Sequence, residues 1–67
     1  MTIQSILFDK KYWNVDNAVD WLREHNKKIK KIDETENFFR FRQTTPKKNA
    51  QYRMMHIARG IMFVVEY

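Results

Sequence analysis

Phe38-Phe39-Arg40-Phe41-Arg42-Gln43 alternates apolar and cationic side chains. A β-strand sends successive side chains to opposite faces, so this stretch predicts one face built of Phe39 and Phe41 and another bearing Phe38, Arg40 and Arg42. The first face can seal a core and the second can meet an anion. The surrounding charge is lopsided in the same sense. Residues 1–26 hold three basic residues against four acidic ones, a net of −1. Residues 27–59 hold ten (Lys27, Lys28, Lys30, Lys31, Arg40, Arg42, Lys47, Lys48, Arg53 and Arg59) against Asp33, Glu34 and Glu36, a net of +7.

With 67 residues the chain makes a single domain, residues 1–67, close to the lower size at which one core holds a fold unaided. Few residues can be spared for a deep catalytic pocket, and a surface-acting binder is the easier design. The absence of cysteine excludes disulfides, thiolate catalysis and zinc sites built on thiolates, and fits a reducing compartment. A hydrophobic fraction of 43%, with one Gly and one Pro, argues against a disordered or low-complexity chain. No apolar run approaches the roughly 18–20 residues needed to span a bilayer. Met1-Thr2-Ile3-Gln4-Ser5 lacks the basic region and long apolar stretch of a secretory signal, so the expected location is intracellular, with no membrane partner. A pI near 9.8 favours anionic partners, either nucleic acid or an acidic protein surface.

Outward from the Phe/Arg segment, the chain reads as alternating strand and helix signals. Ile3 to Phe8 predicts a strand broken by Asp9-Lys10-Lys11. Asn14 stands where a helix N-cap belongs, Asp16 complements the dipole in the first turn, and Trp13 is placed to staple onto Ala18. Ala18, Trp21, Leu22 and His25 then fall on one face of an amphipathic helix that Asn26 can end in a left-handed conformation. Ile29 to Glu34 predicts a weaker strand with Ile32 inward, although Ile29 and Ile32 do not share a strand face. Asp33 to Asn37 supplies turn residues for a hairpin into the Phe/Arg strand. Thr45-Pro46 predicts the start of a short helix to about Gln51. Tyr52–Ala58 reads as extended, Arg59-Gly60 as a turn, and Ile61–Val65 as a central strand apolar on both faces. Trp13, Trp21, Phe39, Phe41, Phe63 and Tyr67 are the candidate core and core-edge aromatics. The expected fold is α+β: one main amphipathic helix packed on a mostly antiparallel sheet of four or five strands.

Several stretches taken together carry a family likeness: Ser5-Ile6-Leu7-Phe8, Ala18-Val19-Asp20-Trp21-Leu22 followed by His25, Asp33-Glu34-Thr35-Glu36-Asn37, Phe39-Arg40-Phe41-Arg42-Gln43, Pro46, and Gly60-Ile61 before the last apolar run. Across about 60 residues the chain resembles a small domain of unassigned activity met in tailed bacteriophages and large DNA viruses of eukaryotes. There it occurs as short stand-alone proteins or as an N-terminal part of phage morphogenesis or prohead-protease-like proteins. The resemblance implies a viral or prophage origin rather than a chemistry, and nothing in this chain corresponds to protease residues. Arg53-Met54-Met55-His56-Ile57 departs from the usual ending of the domain, so no role for that segment carries over.

Catalysis finds little to work with. Ser5 is the sole serine and sits within a strand, and one glycine cannot make a phosphate-cradling loop. His25 and His56 are too isolated to read as a metal pair, and His25 reads better as a helix-end residue that meets the C-terminal dipole or packs its ring. The chain is therefore expected to be no enzyme and to need no cofactor or metal. Asp33, Glu34 and Glu36 are explained as turn residues.

Arg40 and Arg42 share a strand face, where a guanidinium can clamp phosphate through two donors or stack on a base. Phe38 on the same face adds a stacking surface of the kind used by single-strand binders. The competing role for Arg40 and Arg42 is pairing with Glu34 or Glu36 across the hairpin. Lys47, Lys48, Arg53 and Arg59 would extend the cationic surface through the following loop, or simply remain a solvated basic loop. The expectation is a viral accessory or virion-associated domain, intracellular in an infected host or carried in the virion. It would bind nucleic acid through Phe38, Arg40, Arg42, Lys47, Lys48, Arg53 and Arg59. The alternatives are a protein interaction or assembly module, docking another viral protein through a strand edge or the Met54/Met55 region, and a host-directed inhibitor with an acidic target. Exposure of both methionines would favour a protein partner.

Overall fold

The structure is a computed structural model that describes residues 2–29 and 31–66. The elements are β1 (Thr2–Asp9), α1 (Val15–Glu24), β2 (Ile32–Glu34), β3 (Phe38–Arg42), β4 (Tyr52–Ala58) and β5 (Ile61–Glu66). The five strands form one sheet in the order β2-β3-β1-β5-β4, with antiparallel pairings throughout. A single helix with such a sheet is an α+β architecture.

β1 occupies the centre of the sheet, where a strand is paired on both sides and burial favours apolar residues. Its register aligns Phe8 with Phe39 of β3 and Ile61 of β5, and Ile6 with Phe41 and Phe63. These two rows build the cluster face of the sheet. Ile6, Phe8, Phe39, Phe41 and Ile61 are buried, and Ala18 and Leu22 of α1 belong to the same hydrophobic cluster. Phe8 is the hub, its ring edge-on to Trp13, Trp21 and Phe41 at centroid distances of 5.2, 5.7 and 5.6 Å. Such pairs add about 0.5–1.5 kcal/mol each beyond area burial, which matters in a domain this small. Tyr67, expected at the core edge, lies outside the described residues.

α1 begins and ends as its sequence predicts. The Asn14 side chain accepts a hydrogen bond from the Asn17 N–H at 2.8 Å, satisfying one of the free donors of the first turn. At the other end Asn26 adopts φ 57°, and the Lys27 N–H reaches back to the Leu22 carbonyl at 2.8 Å, the closing bond of a Schellman-type end. His25 stacks on Trp21 with centroids 3.9 Å apart, and its Nδ1 lies 2.8 Å from the Trp21 carbonyl oxygen. That is the helix-end role expected of it.

Three expectations are corrected. The second strand spans only Ile32–Glu34 rather than Ile29–Glu34, with Lys30 outside the described residues. Ile32 is 42% exposed because β2 is an edge strand, whereas Ile29 packs against the core cluster. No helix follows Pro46. The Gln43 and Thr44 N–H groups donate to the Gln4 carbonyl, and Lys47 N–H donates to the Tyr52 hydroxyl at 2.7 Å. These bonds tie the chain on either side of Pro46 to β1 and to Tyr52, and a single turn closed by Ala50 N–H to Lys47 O forms in place of the helix.

Gly60 turns the chain between β4 and β5 with φ 74°. A Cβ there would stand 2.9 Å from two atoms of the Trp13 ring and 3.0 Å from Tyr12. Both the backbone conformation and the close approach therefore call for glycine.

Candidate functional site

Strand alternation places Phe38, Arg40 and Arg42 together on the reverse face of the sheet, opposite Asp9, Leu7 and Ser5 of β1. Continuing across, Met62 and Val64 of β5 and His56 and Met54 of β4 complete this face. The three β3 residues are thus neighbours, as their spacing predicts. Their partners differ.

Arg40 is spoken for within the fold. β1 carries a bulge between Ile3 and Ser5, which sets the buried Gln4 carboxamide beside the Ser5 hydroxyl. Arg40 donates from Nε to Ser5 Oγ at 3.1 Å and from Nη2 to Gln4 Oε1 at 3.0 Å. The Gln4 Nε2 in turn donates to the Thr44 carbonyl at 3.0 Å. This network ties β3, β1 and the following loop together and leaves Arg40 a positioning role.

Arg42 is held more loosely. Its Nη2 lies 3.8 Å from Asp33 Oδ2, an ion pair with both side chains about two-fifths exposed. The acidic partner is therefore Asp33 and not the expected Glu34 or Glu36. Asp33 pairs with Arg40 in the β2–β3 register and so shares its face, while Glu34 lies opposite Phe39 and bonds Lys10 at 2.7 Å. The Arg42 Nε is buried without a hydrogen-bond partner, and so is Thr44 Oγ1.

Both residues line a recess of about 220 Å³ with Lys28, Lys31, Gln43 and Thr45. Gln43 builds this recess. Its Oε1 accepts from the Lys28 N–H at 2.8 Å and its Nε2 donates to the Lys28 carbonyl at 3.0 Å, fastening the segment after α1 to the end of β3. Lys28 and Lys31 join Arg42 by this route. Charge balance and the turn after α1 account for both lysines in the sequence without bringing them to Arg42, because only the Gln43 clasp and the β2–β3 pairing set them here.

The other expected site residues are dispersed. Lys47 reaches Glu66 at 3.6 Å, and Lys48 is exposed in the loop before β4. Arg53 is in register with Val65 on the same side as Phe63, so it lies on the opposite face from Arg40 and Arg42. Arg59 sits in the β4–β5 turn, its guanidinium 5.8 Å from the centroid of the Tyr12 ring. There it lines a second recess, of about 360 Å³, with Phe38, Tyr12 and Met62.

Met54 and Met55 are both exposed, at 55% and 37%, and Ile57 is exposed at 44% on the same edge strand. Among the described residues no group of three or more His, Asp or Glu side chains is placed to hold a metal ion, and no helix is long and apolar enough to cross a membrane. No protein-family model matches the chain, and neither a curated protein nor a solved structure does.

Proposed function

We propose that this chain is a non-enzymatic viral accessory or virion-associated domain that binds nucleic acid without strong sequence preference, working inside an infected host or within the virion. The observation that carries the reading is the recess at the end of β3, which the two-fifths-exposed Arg42 side chain lines together with Lys28 and Lys31. A cationic recess whose guanidinium is held on its Nη2 side, among the described residues, only by a 3.8 Å ion pair suits a phosphate oxygen. In this reading α1 packs across the cluster face, supported by the burial of Ala18 and Leu22 and by Trp21 edge-on to Phe8 and Phe63. The reverse face is then left to the ligand. The centre of binding moves from Arg40 to Arg42, since Arg40 is engaged by Gln4 and Ser5.

Fluorescence anisotropy with labelled single- and double-stranded DNA and RNA over a salt series tests this. Saturable binding should weaken as salt rises, because each neutralised phosphate releases counterions. Lys31→Ala/Arg42→Ala should shallow the single-strand salt slope by about 1.4, at about 0.7 per contact. A folded protein that binds none of these ligands at low salt would redirect the search to a protein partner.

The exposure of Met54, Met55 and Ile57 on the β4 edge favours a second reading, a viral assembly module or host-directed inhibitor that docks protein by strand addition or apolar burial. Light scattering at low and high salt separates it from the first. An oligomer or stoichiometric protein complex that survives high salt supports docking, whereas a monomer under both conditions with salt-sensitive nucleic-acid binding does not.

A further inference from the structure

At the opposite end of β3 from the basic recess, the β4–β5 turn, the start of β3 and the end of β1 enclose the second recess. Asp9, Tyr12, Phe38, His56, Arg59 and Met62 line it, around a volume of about 360 Å³. We propose that this cleft holds one unstacked nucleobase of a single-stranded nucleic acid. The inference rests on the polyanion reading above and names what that reading leaves open, the part of the ligand recognised besides phosphate.

The lining matches a base better than a purely apolar group. Tyr12 and Phe38 supply aromatic faces, and the Arg59 guanidinium over the Tyr12 ring supplies a planar cation on which a base can also stack. Asp9 and His56 add hydrogen-bonding atoms of the kind that meet base edges. The volume lies near the lower end of small-molecule sites, enough for one heteroaromatic ring system and too little for a folded element.

The walls are set before any ligand arrives. Thr35 Oγ1 accepts from the Phe38 N–H at 3.0 Å and donates to the Phe38 carbonyl at 3.1 Å, clamping the start of β3. Trp13 Nε1 donates to the Arg59 carbonyl at 2.9 Å and holds the turn on the other side. A preorganised site loses less freedom on binding. Phe38 and Arg42 share one face of β3 four residues apart, about 13 Å at ~3.3 Å per residue, so a short oligonucleotide can reach both ends.

The test compares anisotropy titrations of labelled oligothymidylate with an abasic oligomer of equal length and charge. The wild-type protein should prefer the base-bearing strand by about tenfold. Tyr12→Ala, at a side chain already 56% exposed and therefore safe for folding, and Phe38→Ala should each remove most of that preference while leaving abasic affinity unchanged. Lys31→Ala/Arg42→Ala should weaken both ligands and keep the preference. Equal wild-type affinity for the two oligomers, or a preference that survives both aromatic substitutions, overturns the base site while the phosphate reading stands. Absence of binding to either oligomer at low salt overturns the base site, and the phosphate reading falls with it only if RNA and double-stranded DNA also fail to bind.

Discussion

The two ends of β3 are built from the same alternating pattern and differ in the chemistry they gather. At its C-terminal end Arg42 joins Lys28, Lys31 and Thr44 in a cationic recess with two buried polar atoms left without partners. At its N-terminal end Phe38 joins Tyr12, Met62 and Arg59 in a recess framed by aromatic rings. Arg40 lies between them and lines neither, its Nε bonded to Ser5 and its Nη2 to Gln4. One strand face therefore has a cationic end and an aromatic end separated by a structural tie. Side-chain type alone does not tell a ligand-facing arginine from a structural one; the supply of acceptors on the neighbouring strand does.

Reversing charge at the basic end should break the comparison most severely. Lys31→Glu/Arg42→Glu is expected to lower oligonucleotide affinity by about 100-fold, roughly 2.7 kcal/mol, with little change in the thermal melt. Retained affinity in the folded double variant would leave that recess without a role.

At the aromatic end the sharpest probe is Gly60→Ala. A φ of 74° and a Cβ position 2.9 Å from Trp13 make this substitution strain the turn that walls the cleft. A loss of about 2 kcal/mol is expected from denaturant midpoints, and a neutral result would mean that the turn and Trp13 relax freely.

Gln43→Ala should come next, at about 1–2 kcal/mol, since it removes two hydrogen bonds to the Lys28 backbone. Amide chemical-shift changes should gather around Lys28 and Lys31 and spare Tyr12 and Phe38. Changes spread evenly over both ends would show that the two recesses are not independent.

Arg40→Ala sharpens the contrast with the smallest effect. It should reduce stability by about 1 kcal/mol through loss of its bonds to Ser5 and Gln4, yet alter oligonucleotide affinity less than about threefold. A large affinity loss without destabilisation would return Arg40 to the binding surface.

Much of the fold could be read from local pattern. The alternation in residues 38–42, the Asn14 cap, the Asn26 terminator and the Arg59-Gly60 turn all act over a few residues, and each stands where local chemistry puts it. The misreadings arose where distant partners decide. Ile32 was expected inside because it is apolar, but β2 is an edge strand with no neighbour beyond it. The Pro46 segment carries a helix-start signal, but Gln4 and Tyr52 tie the chain on either side of Pro46 and fix its path as a loop. The site was legible only in part for the same reason. Spacing places Phe38 and Arg42, whereas Lys28, Lys31, Tyr12 and Met62 come from three other segments and show no shared motif.

β1, α1, the two-faced character of β3 and the cationic excess of residues 27–59 are legible in the amino-acid order, because periodicity, capping and charge act within a few residues of chain. Strand order, the bulge beside Gln4, and the sorting of Arg40 from Arg42 were decided only by the tertiary structure. A guanidinium is bound or available according to which acceptors stand within about 3 Å of it, and β1 and β2, which bring those acceptors to β3, are set beside it by folding.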